Sequence, residues 1–151
     1  TGIFTDAKHI NEDRIAIWGW SYGGFMALNC LTYGNETFKA GISIAPVTDW
    51  RLYNTAYTER FMSTPQENDL GYEQSDLITK AHMLKGKLLL CHGTADDNVH
   101  IQHAMLYCDA LIEAGIQFEM QIYPNKNHSI LGAKTRYHLY TRFNTFLKNN
   151  L

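Results

Sequence analysis

Four short apolar runs punctuate the chain, and between them apolar residues recur at helical spacing. Arg14 to Trp18 carries an unbroken apolar run that reads as a buried strand, and the residues from Phe25 to about Tyr33 read as a helix, with Gly34-Asn35 as its stop and turn. Ala40 to Ala45 reads as a second strand ended by Pro46, and Gly86 to Gly93 as a third closed by glycine. Ile101, Ala104, Met105, Cys108, Leu111 and Ile112 fall three and four residues apart, which predicts an amphipathic helix from His100 to Ala114, stopped by Gly115. Gln117 to Tyr123 is the fourth predicted strand. The last predicted helix runs from about Lys134 to Asn149 with Leu139, Tyr140, Phe143, Phe146 and Leu147 as its apolar stripe. Thr1 to Asp13 is polar and reads as the tail of a helix and a loop. Strands that alternate with helices at this spacing form parallel crossover units, so the predicted architecture is an open, doubly wound, mostly parallel α/β sheet of about four strands with flanking helices.

One segment breaks the rhythm. Between Val47 and Met83 the periodicity fails while Trp50, Tyr53, Tyr57, Phe61 and Tyr72 crowd among Asp49, Arg51, Glu59 and Arg60. Long aperiodic segments inside a domain are usually functional or hold short helices of their own, so short helices covering a pocket are expected here. An aromatic satellite core is the competing reading, because rings fill cores more often than they line sites.

In an open α/β sheet, reactive groups belong on loops after the carboxyl ends of strands. The first strand leads into Gly19-Trp20-Ser21-Tyr22-Gly23, a G-x-S-x-G sequence between a buried-strand run and a helix, which is the pattern of a nucleophile elbow. Side chains at Gly19 and Gly23 are expected to collide where strand and helix backbones approach. After the third strand come Asp96 and Asp97, and after the fourth comes His128. A serine hydroxyl needs an imidazole to take its proton, and the imidazole needs a carboxylate to hold its tautomer. The order Ser, Asp, His is that of the α/β-hydrolases. Spacing alone does not choose between Asp96 and Asp97, and either suits the start of a helix near Val99. His92 ends a strand and is expected to be structural; His100 and His103 are a weak candidate metal pair with no third ligand nearby in sequence.

Bulk composition narrows the classes. With 151 residues, 45% hydrophobic, 19% charged and a net charge of −2, the chain is an ordinary globular one without a basic face for nucleic acid. No apolar run reaches the length of a membrane span, and no signal peptide opens it. The three cysteines, Cys30, Cys91 and Cys108, sit in apolar contexts and read as buried free thiols. No cofactor is called for.

Three separated blocks carry a specific resemblance: Gly19-Trp20-Ser21-Tyr22-Gly23-Gly24, Tyr57-Thr58-Glu59-Arg60-Phe61, and His92-Gly93-Thr94-Ala95-Asp96-Asp97-Asn98-Val99-His100. In this order they closely resemble the catalytic domains of dipeptidyl peptidases in the prolyl oligopeptidase family of serine peptidases, from about Asn11 onward. The resemblance implies an α/β-hydrolase fold with Ser21 as nucleophile, Asp96 rather than Asp97 as the orienting acid, His128 as base and the Tyr22 N–H as an oxyanion donor. It also implies that Asn98 binds a substrate carbonyl, and that Val47, Trp50, Tyr53, Tyr57 and Val99 form the pocket for a proline or alanine side chain. The expected reaction is release of N-terminal Xaa-Pro or Xaa-Ala dipeptides, with an acylaminoacyl peptidase, oligopeptidase or esterase, or a non-catalytic assembly fragment, as alternatives. By the same resemblance the chain is expected to be the C-terminal part of the catalytic domain. A second oxyanion donor, the acidic pair that grips the substrate amino terminus and a β-propeller would all lie upstream, so the fragment alone would be weakly active at most. The first strand would then be an open edge prone to self-association, and the last strand and helix a dimer surface, giving a homo-oligomer. A periplasmic or secreted location follows from the family alone.

Overall fold

A computed structural model describes residues 10–34 and 37–151. The expectations for residues 1–9 and for Asn35 lie outside that range. The elements run β1 (Ala16–Trp20), α1 (Tyr22–Tyr33), β2 (Ala40–Ile44), α2 (Thr55–Met62), α3 (Asp69–Ser75), β3 (Lys87–Gly93), α4 (Gln102–Glu113), β4 (Glu119–Tyr123) and α5 (Ala133–Asn150). The strands pair in the order β1-β2-β3-β4, every pair parallel. Each crossover therefore carries a helix, and the carboxyl ends of all four strands lie at one end of the sheet.

Alternation along the strands decides which helix covers which face. On one face, α1 through Phe25, Leu28 and Leu31 and α4 through Tyr107 and Leu111 pack in one cluster with Leu88 of β3. On the other, α5 packs Leu139, Phe143 and Phe146 against Ile42 and Ile44 of β2 and Leu89 and Cys91 of β3. The α1 side of β2 carries small residues so that the helix can come close: a Cβ on Gly41 would lie 2.5 Å from Leu31 Cδ1, and Ser43 Oγ donates to Gly24 O at 3.0 Å.

Several boundaries differ from the sequence expectation. β1 runs two residues further, because Gly19 and Trp20 still pair with Ser43 and Ile44, and the chain turns only at Ser21. On α4 the sheet-facing positions are Ala104, Tyr107, Cys108 and Leu111, while Met105 and Ile112 are exposed. Tyr140 likewise lies outside the buried stripe of α5, meeting Phe143 edge-on at its rim. Among the described residues β1 is an edge of the sheet, and its Trp18 is 59% exposed. Cys91 and Cys108 are buried free thiols, whereas Cys30 is only half-buried. No helix among the described residues is long and apolar enough to cross a membrane.

Candidate active site

Ser21 sits between β1 and α1 with φ 60° and ψ −119°, a left-handed conformation that costs a non-glycine residue of order 1–3 kcal/mol. Its N–H donates to Ile44 O at 2.8 Å, which holds the turn against β2. Glycine at position 19 is a steric necessity, since a Cβ there would sit 2.0 Å from Gly23 O. Gly23 itself does not behave as expected: a Cβ there meets nothing within 4 Å. The second tight glycine is Gly24, whose Cβ would come 2.8 Å from Ile44 O where α1 crosses β2. Tyr22 opens α1, where a first-turn N–H has no acceptor within the helix and stays available to an anion.

The loops after β3 and β4 meet at the same end of the sheet. Asp96, on the loop after β3, has a fully buried carboxylate whose Oδ1 accepts the N–H groups of Asn98 at 3.0 Å and Val99 at 2.9 Å. Its Oδ2 lies 2.8 Å from His128 Nδ1. Burial alone would raise the Asp96 pKa, but the hydrogen bonds from His128 and His92, the His128 charge and the Asn98 N–H outweigh it and hold the carboxyl well below the usual carboxylate range. A carboxylate accepts only, so His128 Nδ1 carries a proton, and in the neutral ring Nε2 then holds the free lone pair that a general base requires. Asp97, the other candidate acid, is exposed.

The loop that carries His128 is fastened to the strand end that carries Ser21. Trp20, the residue before the serine, donates its indole N–H to His128 O at 2.9 Å. Structure thus brings Asp96 and His128 into contact and seats the His128 loop on the elbow.

Beside Ser21 opens a hollow of about 100 Å³ lined by Ser21, Tyr22, Val47, Trp50, Tyr53 and Tyr57. Its rings brace one another: Trp50 stacks on Tyr57 at 6.0 Å and meets Tyr53 edge-on at 5.9 Å. The aperiodic segment does hold short helices, α2, α3 and two single turns at Trp50–Leu52 and Ala81–Met83. Side chains of Asp49, Asn54 and Asn68 cap three of them through the N–H groups of Arg51, Tyr57 and Gly71. The satellite-core reading holds as well, because Trp50 and Tyr72 are buried with Phe25 and Val47. Val99, expected to line the pocket, is instead fully buried in that same cluster and is not among the residues that line the hollow. Asn98 reaches the rim by accepting from Tyr53 OH at 2.7 Å. A larger apolar hollow of about 360 Å³ shares Tyr22, Trp50 and Tyr57 but is lined on its far side by Phe61, Met62 and Ser75 and lacks Ser21. Of the two, only the smaller is lined by Ser21.

Histidines other than His128 take separate places. His92 is fully buried, donates Nε2–H to Val99 O at 2.8 Å and lies 3.3 Å from Asp96 Oδ2, so it supports the acid as well as the fold. Sequence reasoning missed that second part, although the four-residue spacing of His92 and Asp96 was a signal. His103 is buried and accepts the Thr48 N–H on Nδ1 at 3.2 Å, while the His100 ring accepts the Gln102 N–H at 3.2 Å. Each Nδ1 is thereby occupied, and among the described residues no group of three or more His, Cys, Asp or Glu side chains is placed to hold a metal ion. Trp20 was also missed, although its adjacency to Ser21 was a signal.

A parallel sheet with a strained serine after one strand and an Asp–His pair on the loops after two others is the arrangement of an α/β-hydrolase. The model of the prolyl oligopeptidase family matches residues 2–151, and the chain belongs to that family. It is 41% identical over 151 residues to dipeptidyl peptidase 4 of Bos taurus, a match covering 98% of this chain and 20% of that one. It also superposes on the crystal structure of Porphyromonas gingivalis dipeptidyl peptidase 4 with a TM-score of 0.95 and 55% identity, covering 98% of this chain and 21% of the other. The chain thus spans about a fifth of the length of these relatives.

Proposed function

We propose that this chain is the C-terminal part of the catalytic domain of a serine exopeptidase of dipeptidyl peptidase IV type, which releases N-terminal Xaa-Pro or Xaa-Ala dipeptides. The observation that carries the reading is that Ser21, on its strained turn, borders a small ring-lined hollow while the Asp96–His128 pair is seated on the same strand end. A pyrrolidine is flat and apolar, so rings that offer shape and no hydrogen bonds suit it.

In this mechanism His128 Nε2 takes the proton of Ser21 as Oγ attacks the carbonyl carbon of the second residue. The developing oxyanion is met by the Tyr22 N–H, and Asp96 stabilises the imidazolium. His128 then protonates the departing amine as the C–N bond breaks, leaving the dipeptidyl ester on Ser21. A water, deprotonated by His128, hydrolyses that ester and restores the hydroxyl. Asn98, whose Oδ1 accepts from Tyr53 OH, would donate its side-chain N–H to a substrate carbonyl. These relatives are about five times as long as this chain, which leaves room outside it for the groups that select a free amino terminus.

The test is turnover of a Gly-Pro chromogenic substrate by the full-length protein. Ser21→Ala should abolish it, and Asp96→Asn should cost roughly ten-thousandfold in kcat because the imidazole tautomer is no longer held. Activity retained in Ser21→Ala refutes the assignment; a preference for blocked amino termini moves it to an acylaminoacyl peptidase. Self-association is part of the same reading, supported by the exposed Trp18 on the β1 edge.

A further inference from the structure

A general base works only while its Nε2 stays within reach of the serine. His128 rides on an irregular loop between β4 and α5, in which Asn125 (φ 56°) and Ile130 (φ 47°) are left-handed without being glycine. Such a loop keeps its shape only if its surroundings over-determine it.

On the acid side the restraints are several. Ala95 N–H donates to Lys126 O at 3.0 Å, Asn125 N–H donates to Thr94 Oγ1 at 2.8 Å, and a Cβ on Gly93 would come 2.2 Å from Lys126 O. These lock the loop of the base to the loop of the acid and say nothing about the distance from His128 to Ser21.

On the nucleophile side the restraint is made by two side chains. Three consecutive carbonyls are taken in turn: His128 O by the Trp20 indole N–H at 2.9 Å, Ser129 O by Arg136 Nη2 at 2.7 Å, and Ile130 O by Arg136 Nε at 3.2 Å. The two side chains are themselves stacked, with the Arg136 guanidinium 4.9 Å from the Trp20 ring centroid. Ile130 anchors the far end, fully buried in the cluster with Leu139 and Phe143.

Resting on the peptidase reading above, we propose that Trp20 and Arg136 are positioning residues that act as a clamp, holding the His128 loop in register with the Ser21 turn. Trp20 belongs to the strand that delivers the serine, and Arg136 to the first turn of α5, so the clamp spans the joint between nucleophile and base. Only arginine fits its half. A planar fork can bond two carbonyls in one direction while its face lies on an indole, whereas a lysine ammonium offers a point charge and no stacking face. Neither residue touches substrate; both act through His128.

The test uses the full-length protein and reads the rate of Ser21 modification by a fluorophosphonate probe, which reports nucleophile activation for any serine hydrolase, together with kcat and KM on the Gly-Pro substrate. Trp20→Phe keeps an aromatic face for the guanidinium and deletes the N–H donor; Arg136→Met keeps bulk and deletes the fork. Displacement of a catalytic group by about 1 Å costs on the order of a hundredfold, so a fall of that order in labelling rate and kcat is expected, with KM nearly unchanged. The double variant should be no slower than the worse single one, because each change breaks the same clamp. Added guanidinium, and not ammonium, should restore part of the rate of Arg136→Ala. Folded variants that label at the wild-type rate, or a loss confined to KM, overturn the clamp while leaving the peptidase reading intact. A wild-type protein that does not label at Ser21 overturns both. Should Arg136→Met fail to fold, Trp20→Phe decides the matter.

Discussion

Lowering the pH should loosen the pocket segment through one histidine. His103 is only 1% exposed, and its Nδ1 accepts the N–H of Thr48 while Thr48 Oγ1 donates to His103 O at 2.9 Å. That pair ties α4 to the stretch that continues into Trp50. Protonation would place a second N–H against the Thr48 N–H. Burial first, then the neighbouring His92, push the His103 pKa down from 6.5 to about 4, with the Leu52 carbonyl offsetting this in part. The folded state thus binds fewer protons than the unfolded chain between those values. Stability is therefore full above pH 6.5 and is lost as pH falls toward 4, below which both states are protonated. The loss works out at about 2 kcal/mol by pH 5 and about 3 kcal/mol by pH 4, undiminished by solvent because the ring is buried. Asp96 titrates in a separate window, below its ordinary value of 3.8, because its pKa is depressed. The assay is urea unfolding of the chain at pH 7, 6, 5 and 4, for wild type and for His103→Gln. The difference between the two proteins removes every other titrating group. If wild type and variant lose stability in parallel from pH 7 to pH 4, the linkage argument is wrong.

The elbow glycines give a paired test. Gly19→Ala must push the strand off the helix and should cost about 1–3 kcal/mol in denaturant unfolding together with probe labelling of Ser21. Gly23→Ala enters open space on a helix and should hold or raise stability, by up to about 1 kcal/mol; a loss equal to that of Gly19→Ala would show that the approach is misread. The β1 edge predicts concentration-dependent self-association of the isolated chain in light scattering, relieved by Trp18→Lys, and a monodisperse wild-type monomer would exclude it.

Much of the fold was legible because buried parallel strands are continuous apolar runs and the helices between them carry period-3.6 stripes. Those signals are local, and they placed all four strands and the three long helices. They misplaced residues where the decision was not local. Tyr140 and Ile112 have the right spacing for a stripe but fall at its rim, because helix placement on the sheet, and not composition, sets the width of the buried face. Gly23 belongs to the motif, yet the contact that demands glycine is made by Gly19 and Gly24, and only the crossing of α1 over β2 reveals which.

The candidate site divides the same way. Residue types in strand order nominated Ser21, an acid and His128, since chemistry restricts which groups can serve and the fold restricts which loops can hold them. Between Asp96 and Asp97 the spacing was silent, and the turn after β3 distinguishes them by burying one carboxylate against His128 and exposing the other. His92 on the acid and Trp20 with Arg136 on the base loop join residues four to 116 positions apart in sequence. The longest of these, from Trp20 to His128 O and to the Arg136 guanidinium, are encoded by no pattern along the chain, because they arise only when strand ends are brought to one edge of a sheet.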